Sequence, residues 1–152
     1  EICRTNPVLT IYTKCFKRVS EIVLNPTNNE ENLRKYQEAY RSYYRKYIQD
    51  KEYFFENYLV DYVFKNVLPY SNSENVFESY VELIIHYALI KFHLIIKSGI
   101  NKEINDSLVI QVVQKVSKSF DHNKRFLNQL YQGLRSSNFL SLACMVILFI
   151  DP

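Results

Sequence analysis

The three cysteines and two of the three histidines are side chains of this sequence that could bind a metal ion or an iron–sulfur cluster. Cys3, Cys15 and Cys144 could each supply a thiolate, but a cubane cluster takes four. A cysteine in an apolar helix, such as Cys144, behaves as a small hydrophobic side chain. His86 and His93 lie two turns apart on one helix face, with no carboxylate at a matching spacing to complete a metal site. We therefore expect neither metal nor cluster in this chain alone, and interpret both histidines as polar tips of a mostly buried helix.

Tyrosine is the other residue type that could form a site, because the chain contains 13 tyrosines. In residues 33–47 they recur at spacings of three and four, so that Tyr40, Tyr43 or its neighbour, and Tyr47 share one helix face. Such a stripe forms either ordinary helix packing or a groove for a ligand or peptide, and we favour packing. His122, at a helix junction, is interpreted as a cap or turn residue. The sequence has no glycine-rich phosphate loop, CxxC pair, HExxH or GxSxG motif.

Composition and charge favour a folded helical protein over the other broad classes. Only 2 glycines and 4 prolines occur in 152 residues, too few for the many turns of an all-β fold. The net charge is +3 with no run of five like charges, so we expect no nucleic-acid partner. Three polar side chains interrupt the longest apolar stretch, residues 83–96, so we expect no membrane span. An odd number of cysteines and no signal peptide at the start favour the cytoplasm.

Hydrophobic residues recur every three to four positions along most of the chain, which predicts an all-α single domain of six or seven helices over residues 1–152. An asparagine–proline pair at positions 6–7 starts the first helix, and residues 25–29 stop it. Asn75 and Glu78 form a capping box before the fourth helix, which Gly99 is placed to close, and Asn105 with the two residues after it caps the fifth. The fourth and seventh helices are the most apolar, and we expect the domain to pack around them. The helices after the first are predicted at about residues 30–50, 52–67, 76–97, 107–120, 123–134 and 139–149.

Several segments, in order along the chain, carry a family resemblance. Residues 3–7 read Cys-Arg-Thr-Asn-Pro, residues 15–24 begin Cys-Phe-Lys-Arg, and residues 56–66 begin Glu-Asn-Tyr-Leu-Val-Asp-Tyr. The aromatic-aliphatic residues 80–96, the string Phe-Asp-His-Asn at residues 120–123 and the apolar last helix follow. Together they resemble the flagellin lysine-N-methylases, bacterial enzymes that methylate lysines of the flagellar filament protein.

This sequence departs from the family pattern at its cysteine motifs. Asn6 stands where the family has an aromatic residue, Val8 where it has an arginine, and Phe16 where it has a proline. The family's cysteine-rich N-terminal half has no counterpart in the chain. The resemblance therefore implies the C-terminal helical portion of such an enzyme, with residues 1–24 similar to the tail of the cysteine-rich region and residues 30–150 forming the helical bundle.

The resemblance implies part of a protein lysine methyltransferase that uses S-adenosylmethionine and acts on flagellin. It implies an iron–sulfur cluster in the intact protein, with Cys3 and Cys15 as ligands, and assigns no residue to methyl transfer. Lysine methylation needs a neutral amine aimed in line at the methyl group, so desolvation and positioning dominate. On this reading we predict that Tyr40, Tyr43 and Tyr58 of the tyrosine-rich helices bind substrate.

A second hypothesis is a non-enzymatic helical interaction or ligand-binding module. It predicts a pocket or an apolar patch among the helices and no binding of S-adenosylmethionine. The sequence leaves the oligomeric state open, so that self-association is an alternative to a monomer.

Overall fold

The most apolar segment of the sequence forms the central helix of the fold, α4 (Val76–Asn101). This computed structural model describes residues 29–69, 75–121, 124–136 and 140–149. Val81, Ile84 and Ile95 of α4 are fully buried, and burying each such side chain contributes about 1.5–3 kcal/mol of hydrophobic stabilisation. Helices on both sides of α4 in the sequence pack against it, so α4 is the scaffold on which a site would be built.

The described elements before and after α4 are all helical. They are α1 (Asn29–Ala39), a π-helical segment (Tyr40–Tyr44), α2 (Arg45–Ile48), α3 (Tyr53–Lys65), α5 (Asp106–Asp121), α6 (Lys124–Ser136) and α7 (Leu142–Phe149). α1, the π-helical segment, α3, α5 and α7 contact α4, and α6 packs against α5. No strand occurs in the described ranges, and their buried side chains form one core. The prediction of an all-α domain is confirmed, whereas the first predicted helix lies outside the described residues.

A π-helical turn decides which tyrosines of the second predicted helix face the core. The backbone N–H of Arg45 donates to the carbonyl of Tyr40, five residues back rather than four. This wider turn holds one extra residue. Tyr40 and Tyr44 are buried, at 4% and 2% exposure, whereas Tyr43 is half-buried. The sequence pattern left Tyr43 and Tyr44 as alternatives, and the π-helical turn selects Tyr44.

Asparagine side chains cap the starts of two helices, as the sequence predicted. The Asn75 side chain accepts a hydrogen bond from the backbone N–H of Glu78 at 2.9 Å, and Asn105 accepts one from the N–H of Leu108 at 2.9 Å. Each bond satisfies a backbone donor that the first helical turn leaves without a carbonyl partner. α4 and α5 therefore begin where their capping residues stand.

The end of α4 differs from the prediction. α4 continues past Gly99 to Asn101, and Lys102 takes the left-handed conformation that terminates it, with φ of 55°. Gly99 is inside the helix, where a Cβ atom would lie 2.7 Å from the Cβ of Ala39. The prediction that Gly99 closes the helix is therefore wrong. The missing side chain allows α1 to approach α4 instead of allowing a turn.

The last helix is less buried than its composition indicated. Met145 of α7 is buried at 1% exposure, but Leu142 and Val146 are exposed at 63% and 42%. The sequence is apolar nearly all round this helix and predicts that it is buried, and among the side chains described Leu142 and Val146 do not fit this prediction. α7 packs against α4 on one side, and its apolar residues continue around the helix beyond that contact.

α4 is long and apolar enough to cross a membrane, judged by length and composition alone. In the structure, however, 72% of the most apolar 18-residue stretch of α4 is buried inside the protein. Burial against neighbouring helices is the environment of a core helix, and it accounts for the apolar composition without a bilayer.

A polar cluster connects the end of α2 with the start of α5. The Tyr47 hydroxyl and the Lys51 ammonium both donate to the carboxylate of Asp106, and the ammonium lies 4.5 Å from the centre of the Tyr47 ring. Burial and the hydrogen bond to Asp106 raise the pKa of Tyr47 to about 12. The hydrogen bond from Lys51 lowers the pKa of the Asp106 carboxyl. The cluster holds together two elements that are distant in sequence.

Candidate functional site

α3 packs antiparallel against α4. This packing brings together the turns of the two helices that carry tyrosine, histidine and glutamate side chains. The Phe55 ring meets the Tyr87 ring edge-on at 4.9 Å, whereas Tyr62, two turns further along α3, contacts Glu82, earlier in α4. Later residues of α3 thus contact earlier residues of α4, so the two helices run in opposite directions. This arrangement decides which side chains of the two helices meet.

Four side chains on these turns form a continuous set of hydrogen bonds, which we name the Tyr–His–Glu network: Tyr58, Tyr62, Glu82 and His86. The Tyr62 hydroxyl donates to Glu82 Oε1 at 3.0 Å and lies 3.2 Å from His86 Nε2. The Tyr58 hydroxyl lies 3.3 Å from His86 Nδ1. The Tyr62 and His86 rings are also in contact, with their centres 4.3 Å apart. The imidazole is thus held at both of its nitrogen atoms.

For a neutral imidazole, the donors and acceptors of the network have one consistent order. A tyrosine hydroxyl has one proton, and Tyr62 gives it to the Glu82 carboxylate, which can only accept when ionised. The Tyr62 oxygen must therefore accept from His86, so Nε2 carries the imidazole proton. Nδ1 of the neutral ring then accepts from the hydroxyl of Tyr58. The order of donation runs from Tyr58 through His86 and Tyr62 to the negative charge on Glu82.

The network is buried in the middle and half-exposed at its two ends. His86 and Tyr62 are 2% and 8% exposed, whereas Tyr58 and Glu82 are half-buried. A carboxylate of fixed position beside tyrosine hydroxyls can attract a cation and accept its N–H hydrogen bonds. This is the chemistry that a primary ammonium group such as a lysine side chain requires.

The comparison with protein families decides the family of this domain. A family model described as the FliB lysine N-methylase C-terminal domain matches residues 3–148 of the chain. The chain belongs to this family. The match confirms the resemblance that the sequence segments carry, over nearly the whole chain. The comparisons with curated proteins and with solved structures gave no match.

The three tyrosines predicted to bind substrate lie in two different places of this FliB C-terminal domain. Tyr40 and Tyr43 are on the π-helical segment, where the Tyr40 ring contacts the Tyr44 ring with centres 5.6 Å apart in the core. Tyr58 lies on α3, in the Tyr–His–Glu network. The structure thus joins Tyr58 to a polar cluster and places Tyr40 among buried aromatic rings. The substrate-binding role of all three remains a prediction.

Sequence reasoning did not single out Tyr62 or Glu82, and interpreted His86 as a polar tip of a core helix. His86 is indeed buried at 2% exposure, and it has hydrogen-bond partners at both nitrogens. A signal was present, because Tyr58 and Tyr62 are four residues apart, as are Glu82 and His86. The interpretation that no carboxylate stands at a matching spacing from the histidines is therefore wrong. Side chains four apart share a helix face. The sequence could not show that these two faces are turned towards each other.

The described residues of this FliB C-terminal domain do not supply a metal or cluster site. Within them, no group of three or more histidine, cysteine, aspartate or glutamate side chains could hold a metal ion. Cys144 is a half-buried free thiol on α7. Cys3 and Cys15, which the resemblance implied as cluster ligands, lie outside the described residues. The two glycines of the sequence lie inside α4 and α6, so neither forms a loop that could wrap a methyl donor.

Proposed function

We propose that this domain binds the protein substrate of a lysine N-methylase, and that the Tyr–His–Glu network receives the target lysine. The observation that carries the proposal is the Tyr62 hydroxyl, which donates to Glu82 while lying within hydrogen-bonding distance of His86. This double contact fixes the position of a carboxylate at the half-exposed end of the network. Family membership supports lysine as the side chain that is recognised.

Charge and hydrogen bonding support the binding step. A lysine ammonium group has three N–H donors and no acceptor. Glu82 accepts one hydrogen bond from Tyr62 through Oε1, and a carboxylate offers about four lone-pair positions. It therefore retains acceptor positions for an ammonium group. The partial burial of Glu82 reduces screening by water, which strengthens its attraction for a cation.

The network supports positioning rather than the methyl transfer itself. Transfer requires the lone pair of a neutral amine, whereas free lysine has a pKa of about 10.4. Holding the amine against a fixed carboxylate and tyrosine hydroxyls orients it before it loses its proton. When bound, S-adenosylmethionine supplies the methyl group. Its binding, and a cluster with Cys3 and Cys15 as ligands in the intact protein, are parts of this proposal that rest on the family.

Flagellin is the protein substrate that we propose, and the cytoplasm is the compartment. Both rest on the family resemblance, and the second also on the chain's odd number of cysteines.

The test measures flagellin methylation by the intact enzyme with Glu82→Gln in this domain. Hydrogen bonds to charged groups contribute about 1.5–3 kcal/mol, so we expect KM for flagellin to rise roughly 10- to 100-fold. The value of kcat should change less, because the variant removes binding of the ammonium group. Mass spectrometry of the methylated lysines gives both constants.

A matched control is Tyr131→Phe, which removes a different tyrosine–glutamate hydrogen bond, from the Tyr131 hydroxyl to Glu78 Oε1 at 3.0 Å. It should leave KM unchanged. Wild-type KM in Glu82→Gln, with the fold verified by circular dichroism, would overturn the proposal. It would assign the network a structural role only, in which it stabilises the packing of α3 against α4.

A further inference from the structure

The outer face of α3 carries an apolar stripe that the rest of the described structure does not cover. Tyr53, Val60 and Phe64 are 49%, 49% and 78% exposed, and Asn57 lies between the first two on the same face. The four residues are spaced by four, three and four positions, which places them in one line along the helix. We name this line the α3 stripe.

The spacing of the α3 stripe is the spacing of a coiled-coil seam. Two helices pack lengthwise when apolar residues alternate at intervals of three and four, and one asparagine in such a seam fixes the register. The opposite side of α3 is already used, because Phe55 and Tyr62 are buried against the core. α3 is therefore apolar on two sides, and packing within the described structure accounts for only one of them.

The charged residues at the flanking positions of the α3 stripe are acidic. In the heptad register that places Asn57 and Phe64 in the seam, Glu56 and Asp61 occupy the flanking positions, and both are exposed. Lys65, the basic residue of α3, is at neither flanking position of this register. A second copy of α3 would bring acids against acids, which is unfavourable. A helix flanked by basic residues would pair with them favourably.

We propose that the α3 stripe binds a helix of a partner protein that has an apolar seam flanked by lysine or arginine. Val60 and Phe64 contact the seam of that helix, Asn57 sets its register, and Glu56 and Asp61 pair with its basic side chains. This surface is separate from the Tyr–His–Glu network, which lies between α3 and α4. The interaction therefore does not depend on the function proposed above.

The experiment uses the 152-residue chain and two synthetic peptides of three heptads. Both peptides have leucine in the seam with one asparagine, but one has lysine and the other glutamate at every flanking position. Uniform flanking charge keeps each peptide from pairing with itself. Isothermal titration calorimetry should show binding of the lysine peptide and at least about tenfold weaker binding of the glutamate peptide.

Substitutions then assign the binding surface. Phe64→Ala should weaken binding of the lysine peptide at least about tenfold, because exposed aromatic anchors dominate such interfaces. The matched control is Ile110→Ala on α5, where the isoleucine is 50% exposed, and it should bind like the wild type. Glu56→Lys combined with Asp61→Lys should reverse the preference between the two peptides.

Three results would overturn the proposal. One is equal affinity for the lysine and glutamate peptides, or no binding of either. Another is an affinity for the lysine peptide that Phe64→Ala leaves unchanged. The third is a dimer of the chain in sedimentation velocity that Phe64→Ala converts to a monomer, because a second copy would then occupy the stripe.

Discussion

Gly99 of α4 and Ala39 of α1 approach so closely that a Cβ atom at position 99 would lie 2.7 Å from the Cβ atom of Ala39. Carbon atoms in van der Waals contact are about 3.5–4.0 Å apart, so no side chain larger than hydrogen fits at position 99 without movement. The close approach seats α1 on α4, and the buried Tyr36 ring stacks on Phe92 of α4 with centres 5.3 Å apart.

Replacing Gly99 by alanine should destabilise the domain, although alanine is the better helix former. Overpacking costs about 1–3 kcal/mol, against a gain of about 0.5–1 kcal/mol for alanine inside a helix. We expect a net loss of about 1 kcal/mol in the free energy of unfolding, measured by urea denaturation. Ala39→Gly in the same chain removes the facing methyl group, so the double variant should be more stable than the sum of the single effects. Additive effects would contradict the proposed contact.

The Tyr62 hydroxyl should contribute more to stability than that of Tyr131. Tyr62→Phe leaves Glu82 Oε1 and the buried His86 Nε2 without the partner seen in the structure, which costs about 1–3 kcal/mol. Tyr131→Phe removes one partly buried hydrogen bond to Glu78 and should cost about 0.5–1.5 kcal/mol. Thermal and urea unfolding of both variants give the comparison. Equal losses would mean that His86 does not depend on Tyr62.

His86 should carry its proton on Nε2, with Nδ1 as an acceptor. This follows because the single proton of Tyr62 goes to Glu82, which leaves the Tyr62 oxygen as the acceptor of the imidazole proton. Long-range proton–nitrogen correlation spectra distinguish the two tautomers of a histidine ring. A proton on Nδ1, or on both nitrogens, would show that the order of donation in the network is different.

Asn75 should stabilise the start of α4 through its side-chain oxygen. Its hydrogen bond from the Glu78 N–H is lost in Asn75→Ala, which should lower the free energy of unfolding by about 0.5–2 kcal/mol. Asn75→Ser retains a capping oxygen and should stay close to the wild type. If both variants lose the same stability in urea denaturation, the cap is not the cause.

His93 should make the domain less stable as the pH falls below neutral. Burial, aided by the nearby Lys97 ammonium, lowers the pKa of the His93 imidazole below its ordinary value of 6.5, although the hydrogen bond from Nδ1 to the Leu89 carbonyl opposes this. The unfolded chain therefore binds a proton near pH 6.5 that the folded chain does not yet bind. The stabilisation that the neutral His93 side chain provides is complete above pH 6.5, and it is lost as the pH falls towards the lower pKa of the folded state.

The measurement for His93 is the urea midpoint between about pH 7 and about pH 5, above the range in which carboxyl groups titrate. His93→Gln should flatten the decline of the midpoint over this interval, because glutamine does not titrate. Parallel declines in the variant and the wild type would assign the pH dependence to other groups.

Local sequence patterns predicted the helices of the described structure because a helix is determined by neighbours in sequence. The spacing of apolar residues predicted α3, α4 and α5, and Asn75 and Asn105 marked two of their starts. The same local information failed at Gly99 because glycine commonly ends helices. Only the packing of Ala39 against position 99 shows that this glycine allows the close approach of α1 instead. It also could not predict the π-helical turn that buries Tyr44 instead of Tyr43.

By itself the sequence determined that the chain is helical and which family it belongs to. Both depend only on the order and spacing of residues along the polypeptide. Only the tertiary structure decided that Tyr58 and Tyr62 meet Glu82 and His86, and that the α3 stripe faces outward. Each helix carries more than one apolar or polar face, and its own sequence does not specify which face is buried. That choice follows from the packing of segments distant in sequence, where burial of apolar area and pairing of buried polar groups are satisfied together.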